Sequence, residues 1–517
     1  MEILKMSNNW EEQLKTIWET TKEGKVYGLS NIEEITAVFT KWNDIKQSTN
    51  IKELRNYIGM ECANIGLGSI GRNNGTRKVD EQIWRDIKEL LNKITENNNQ
   101  DIDKLIQDNK GLENYKSAKQ FLFKTITLEL CTNYPEEDVL FITDEQTINR
   151  LLSLLQIEKK DLNFFQKCKK IMEATKECMP KDDKIKQQFE YNVRRSAALW
   201  YLGSGTKVDD FPTDDQPNVI FYGPPGTGKT YLVKNMIDLV CQGDTSRYEW
   251  VQFHPSYTYE DFIEGIKPTG ITENGSVKLE LVNGIFKELC IRAKKDKDNK
   301  YYFIADEINR ANLSAVFGET LSLIEADYRD DTNSKKRNNL IDTQYSQIER
   351  AIVNGDSNKE DICYDKDYPG KFGIPKNVYF IGIMNDVDKS IDAFDLALRR
   401  RFKWVRKDCD TEVVRDFLNE EDIKEESIEK YIKSIVSLNK FISDELKLGK
   451  SYEFGHSFFM KITYNKKNKE IEDEHKKNLF ENYLKPTLTE YLRSLYDNEE
   501  VLKTNLDIAR DKFVKEE

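Results

Sequence analysis

Histidine is nearly absent: three occur in 517 residues, and the eight cysteines stand apart at 62, 131, 168, 178, 241, 290, 363 and 409. No C-x-x-C pair is among them, which argues against a zinc site of the usual spacing. Scattered single cysteines fit reduced structural thiols in a cytoplasmic protein. No apolar run reaches the roughly 18 residues of a membrane span, so no membrane partner is expected. The first ten residues lack the apolar segment of a secretory signal. Positive charge is not in excess either, with a formal net charge of −12. Proteins that bind nucleic acid over their whole surface are usually basic. Any DNA contact must therefore use a local patch, or borrow charge from a partner. No strand pair carries a metal-binding aspartate followed by Glu-x-Lys, so no nuclease activity is expected in this chain.

What is present is a phosphate-binding signature. Gly223-Pro224-Pro225-Gly226-Thr227-Gly228-Lys229-Thr230 follows directly on the apolar run Asn218 to Tyr222. This is G-x-x-x-x-G-K-[ST] leaving a predicted strand, the setting that the motif requires. Its glycines let the backbone N–H groups wrap a phosphate, and the N-terminus of the following helix adds a favourable dipole. Lys229 is expected to reach the β- and γ-phosphates, and the Thr230 hydroxyl to ligate Mg²⁺.

The surrounding chain divides by pattern. Residues 1–200 carry apolar residues at helical spacing, as in Trp10, Leu14, Ile17 and Trp18 or Trp84, Ile87, Leu90 and Leu91. A mostly helical N-terminal domain is expected there. Residues 203–217 read as a linker. Short apolar runs at 218–222, 249–254, 301–305 and 377–384 alternate with helical stretches, the mark of a parallel α/β sheet over 218–408. Residues 328–372 form a long polar insertion, and 409–517 return to charged helical periodicity.

Two of these strands end in chemistry. Asp306 closes an apolar run and suits Mg²⁺, while Glu307 suits a general base or a positioner of the attacking water. Asn385 ends the run from 377 and could bond the γ-phosphate or that water; a turn-forming asparagine is the alternative. Arg399, Arg400 and Arg401 cannot all face one way on a helix. They either complement a helix C-terminus or send one guanidinium to the phosphate of a neighbouring subunit.

The string Phe303-Ile304-Ala305-Asp306-Glu307-Ile308-Asn309-Arg310-Ala311-Asn312 resembles the McrB-type branch of the AAA+ superfamily, GTP-dependent motors of modification-dependent restriction systems. Similar segments recur at Val251–Phe262, at Met384–Ser390 and at Gly455–Phe459. The resemblance implies an α/β AAA+ P-loop NTPase core with a parallel five-stranded sheet, a C-terminal helical lid, and a homo-oligomeric ring, commonly a hexamer. It implies GTP rather than ATP, with Mg²⁺ on Thr230 and Asp306. It also implies Glu307, Asn385 and Asp388 as catalytic residues, with Arg400 and Arg401 acting across the subunit interface. Arg310 matches the family's Asn-Arg-Ala-Asn arginine. An McrC-like nuclease and activator would be the partner, and modified or foreign DNA the target. An ATP-driven remodelling chaperone of the MoxR type and a nucleotide-gated scaffold with little turnover are the alternatives. The family signature Met-Asn-Thr-Ala-Asp-Arg-Ser is altered here: Asp386 and Val387 replace Thr and Ala, and Lys389 replaces Arg.

The N-terminal half is not matched. Gly66 to Gly71 fits G-x-G-x-x-G but lacks the βαβ setting of a dinucleotide site. The basic loop Arg72 to Lys78 is a solvated turn or a phosphate contact. Trp10, Trp18, Trp42 and Trp84 read as core packing or as a base-stacking surface. Lys169-Lys170 and Arg194-Arg195 either line a DNA path or decorate helix surfaces.

Overall fold

The computed structural model describes residues 10–21, 32–47, 53–54, 57, 81–96, 119–134, 138–142, 145–158, 162, 164–181, 188–203, 210–241, 244–331, 339–355, 361–387, 396–421, 423–493, 495–496 and 498–515. The chain divides into two compact units, one of residues 1–209 with 238–243 and one of 210–237 with 244–517.

The first unit is mostly helical in its described residues, with non-helical stretches such as 138–142 between helices. Helix Trp10–Thr21 buries Leu14, Ile17 and Trp18, the i, i+3, i+4 set that one face presents. Helix Glu81–Glu96 buries Trp84, Ile87, Leu90 and Leu91 in the same way. Helix Lys119–Asn133 is buried from Leu122 to Cys131 on every side, as befits a central helix. Its Glu129 is fully buried and accepts from Trp42 Nε1 at 2.8 Å, Asn133 Nδ2 at 2.7 Å and Lys46 Nζ at 3.0 Å. Trp18, Trp42 and Trp84 are therefore core residues, not a base-stacking surface. The pair Arg194-Arg195 does not line an open path either. Arg195 is fully buried, bonded to Asp138 and to the carbonyl of Met172, with its guanidinium over the Tyr191 ring. Arg194 pairs with Glu190 one turn away. Lys169 and Lys170 are exposed on a helix surface. Gly66 to Gly71 and Arg72 to Lys78 lie outside the described residues.

The second unit is built on a five-stranded parallel sheet. Strands β1 (Asn218–Tyr222), β2 (Tyr248–Gln252), β5 (Tyr301–Asp306), β8 (Val378–Ile383) and β9 (Lys403–Arg406) lie in the order β2-β5-β8-β1-β9. Between them come the antiparallel hairpin β3 (Glu264–Ile271) with β4 (Val277–Asn283), and the short pair β6 (Ile341–Asp342) with β7 (Lys371–Phe372). The central strands are buried along nearly their whole length, because helices cover both faces of such a sheet. Phe262 stacks on Phe286 at 4.5 Å, and both meet Phe303 edge-on at 5.3 Å. These rings make the aromatic centre of the core.

The insertion is folded where it is described. Helix Ser346–Gly355 places Glu349 against the buried amine of Lys287, which also holds Glu264 at the start of the hairpin. Burial alone would lower the Lys287 pKa, but the two carboxylates raise it overall. Arg329, 2% exposed, donates to Asn218 Oδ1, to the carbonyl of Ile324 and to that of Val378. Burial pushes its pKa down to about 10. Asn218 in turn donates to the carbonyls of Ile324 and Arg401. The bases of β1 and β8 and the arginine turn are thus tied to one buried guanidinium.

Among the described residues six α-helices follow β9, including Thr411–Glu420, Glu425–Lys440 and Glu499–Val514, and they enclose a separate apolar cluster around Tyr431, Phe454, Phe459 and Phe513. No helix among the described residues is long and apolar enough to cross a membrane.

Candidate active site

Strand register brings the chemistry together. Asp306 on β5 and Phe221 on β1 both pair with Ile383 on β8. The loop after β1, the carboxylates ending β5 and the asparagine after β8 therefore emerge side by side. Ligands of open parallel sheets bind in this crevice at the carboxyl ends of the strands. A cleft of about 260 Å³ is lined there by the loop from Gly226 to Tyr231, by Asp306, Glu307 and Asn385, and by Ser457 from the lid.

Helix Lys229–Cys241 begins at the motif lysine, so its N-terminus faces the cleft. Lys229 Nζ donates to the carbonyls of Gly223 at 3.0 Å and Pro224 at 2.7 Å. Burial lowers its pKa to about 8, against the pull of Asp386, Glu307 and Asp306. Gly226 has φ +78°, which an L side chain rarely adopts, and a Cβ there would lie 2.4 Å from Ser457 Oγ. The lid turn sits directly on this loop. Gly455 N–H donates to Pro225 O at 3.1 Å and Ser457 N–H to Gly226 O at 3.0 Å.

The two carboxylates differ. Burial raises the Asp306 pKa, although the Glu307 N–H bonds its Oδ1 at 3.0 Å. Glu307 has φ 52° and ψ 41°, a left-handed conformation that costs a residue other than glycine roughly 1–2 kcal/mol. That turn ends β5 sharply and leads into the short turn Ile308–Arg310. Glu307 Oε2 accepts from Arg310 Nε at 3.1 Å, and Oε1 from Asn385 Nδ2 at 3.4 Å. Lys229, Thr230, Asp306, Glu307 and Asn385 are thus brought together on one cleft.

Of the expected residues, Gly223, Pro224, Pro225, Arg400 and Arg401 are not among the described residues that line it. Asp388 lies outside the described residues. Arg401 pairs with Glu325 at 2.7 Å and is 11% exposed, whereas Arg400 stands 3.8 Å from Glu325 and is 69% exposed. The cleft also holds a residue that motif reasoning did not assign, Ser457. Beside it, His456 Nε2 lies 3.1 Å from where a Gly228 Cβ would stand. The lid motif at Gly455–Phe459 was the only signal for them.

No group of three or more His, Cys, Asp or Glu side chains able to hold a metal occurs among the described residues. The hard-oxygen set of Thr230 and Asp306 nonetheless fits Mg²⁺, which usually takes one or two protein oxygens and completes its shell with phosphate and water.

Residues 218–402 match the family model described as AAA domain (dynein-related subfamily), and residues 430–500 match that of the McrB alpha-helical lid domain. The chain is 37% identical over 246 residues to the type IV methyl-directed restriction enzyme EcoKMcrB subunit of Escherichia coli (strain K12), a match covering 47% of each protein. It is 26% identical over 207 residues to the type II restriction enzyme BsuMI component YdiS of Bacillus subtilis (strain 168), covering 36% of this chain and 56% of that protein. The chain thus spans about half the length of the relatives it matches. The core and lid of this chain, a P-loop NTPase core and its helical cap, belong to the McrB-type AAA+ family.

Proposed function

We propose that this chain is a GTP-hydrolysing, ring-forming subunit of a DNA restriction or anti-phage defence complex, with cleavage supplied by a partner nuclease of the McrC type. One observation carries the hydrolytic part: Lys229, Asp306, Glu307 and Asn385 share a single cleft at the ends of adjacent strands. The restriction part rests on likeness to two restriction-enzyme components. GTP is favoured over ATP only by the resemblance to the McrB-type branch, because the loop reads phosphates and not the base.

In this reading the loop N–H groups and Lys229 bind the β- and γ-phosphates. Mg²⁺ held by Thr230 and Asp306 would neutralise charge on the transferring phosphoryl. Glu307 accepts a proton from the attacking water, and Asn385 orients that carboxylate and the water. Catalysis is then mostly positioning and electrostatics. Arg400, exposed at the turn that leads into β9, is the arginine best presented to a neighbouring subunit. Arg401 would first have to leave Glu325.

The test is turnover of GTP and ATP side by side, with and without the partner nuclease and methylated DNA. Glu307→Gln is expected to bind nucleotide normally and lose at least about a hundredfold in kcat, the range for a positioned base. Normal turnover in that variant would remove Glu307 from the mechanism. Turnover indifferent to DNA and nuclease would support a remodelling chaperone instead.

A further inference from the structure

Asp386 follows Asn385 directly, but phosphate chemistry does not account for its carboxylate. The side chain is 8% exposed. Its Oδ2 accepts from Arg406 Nη1 at 2.8 Å and from Ser451 Oγ at 2.8 Å. Its own N–H donates to the carbonyl of Gly223 at 3.2 Å, the carbonyl that also accepts from Lys229. One residue therefore touches the phosphate loop, strand β9 through Arg406, and the lid through Ser451 on the turn Lys450–Tyr452.

The partners are themselves held. Arg406 Nε bonds Asp408 at 2.8 Å, and its guanidinium lies 5.5 Å from the centre of the Tyr222 ring, at the entrance to the phosphate loop. Ser451 is only partly exposed. Hydrogen bonds to an ionised acceptor are shorter and roughly twice as strong as neutral ones. The threonine of the resembled signature could reach one of these partners, but it has no charge with which to hold Arg406. The neighbouring departure points the same way: Val387, where that signature has alanine, packs against the apolar cluster of the lid. A polar tie and an apolar one, on consecutive residues, fasten the segment carrying Asn385 to the lid.

The consequence lies one peptide bond away. Asn385 Nδ2 reaches Glu307 Oε1 at 3.4 Å, the long edge of a hydrogen bond. A shift of a few tenths of an ångström in this segment therefore makes or breaks that contact. We propose that Asp386 is a positioning residue that transmits lid seating, sensed through Ser451, to the Asn385–Glu307 pair. The lid then governs turnover as well as enclosing the nucleotide. This rests on the hydrolytic reading of Glu307 given above.

The test is a double-variant cycle in the full chain with whichever nucleotide the wild type hydrolyses. Ser451→Ala and Asp386→Asn are each expected to lower kcat by about tenfold, while KM and the melting temperature stay near wild type. The double variant should be no slower than Asp386→Asn alone, since residues in one network are not additive. Ser451→Thr, which keeps the hydroxyl, should restore kcat. Independent multiplying effects, or a wild-type kcat in Ser451→Ala, would overturn the coupling. A second readout needs no turnover: amide exchange of residues 384–387 should speed up about fivefold in Ser451→Ala, as local opening becomes easier. Unchanged exchange there refutes the inference even if the hydrolytic reading stands. A wild type that hydrolyses neither nucleotide sinks the hydrolytic reading and leaves the exchange result to decide the tie between lid and segment.

Discussion

Gly455→Ala isolates the seat of the lid on the phosphate loop. Gly455 has φ −73° and ψ 160°, which alanine adopts without strain. The whole effect is therefore steric. A Cβ at this position would lie 2.2 Å from the carbonyl carbon of Gly226, 2.3 Å from its oxygen and 2.5 Å from Pro225 O. These are backbone atoms and cannot rotate away. Restoring an ordinary contact of about 3.5 Å requires the lid turn and the loop to part by roughly 1 Å. That movement strains the bonds from Gly455 N–H to Pro225 O and from Ser457 N–H to Gly226 O, now 3.1 and 3.0 Å. At about 0.5–1.5 kcal/mol for each of the two bonds and about 1–3 for overpacking, the seated lid loses about 2–6 kcal/mol. A shift of at least about 30-fold, and up to about 20,000-fold, away from the seated form follows. The assay is nucleotide affinity, read by fluorescence or calorimetry, with Gly270→Ala as the control. Gly270 has nothing within 4 Å of a built Cβ. Its alanine variant should stay within about 0.5 kcal/mol of wild type. If Gly455→Ala binds nucleotide as tightly as Gly270→Ala, the lid is not seated on the loop in solution and the argument fails.

Lys229 has a pKa of about 8 here, and bound phosphate must raise it. Nucleotide binding should therefore take up close to one proton at about pH 9 and almost none at about pH 6.5, and affinity should fall as pH rises past 8. Calorimetry in buffers of different ionisation enthalpy measures this, and equal uptake at both pH values refutes it. Lys287→Met strands the buried carboxylates of Glu264 and Glu349 beside each other. A cost of about 3–5 kcal/mol in urea unfolding is expected, largely recovered when both glutamates also become glutamine. A loss below about 1 kcal/mol would show that the triad is not buried as described.

The legible parts of this protein were those whose chemistry is written in consecutive residues. Gly223 to Thr230 demands one loop geometry, so its eight residues carry their own context. Tyr301 to Asp306 is an apolar run closed by a carboxylate, and a buried strand end is the only economical reading of it. Strand β9 was not legible on its own. Lys403-Trp404-Val405-Arg406 sets only two apolar residues between two charges at a sheet edge, without the period-two pattern of a strand, and its parallel pairing with β1 makes it one. Arg195 was misread because charge in a sequence suggests surface. The fold buries it by supplying Asp138, a carbonyl and an aromatic face.

Sequence alone determined that this chain carries a phosphate loop, a strand ending in two carboxylates and a lid of the McrB type, because each is a local pattern with a local physical demand. Tertiary structure decided the rest. Register against Ile383 aligned residues 85 positions apart in the chain. Folding of the lid onto the loop brought Ser457 to the cleft and Ser451 to Asp386. Folding of the core gave two adjacent arginines different settings, Arg401 held on Glu325 at 2.7 Å and Arg400 largely in solvent at 3.8 Å from the same carboxylate. Such pairings depend on which distant side chains arrive at the same place, and no spacing along the chain encodes that.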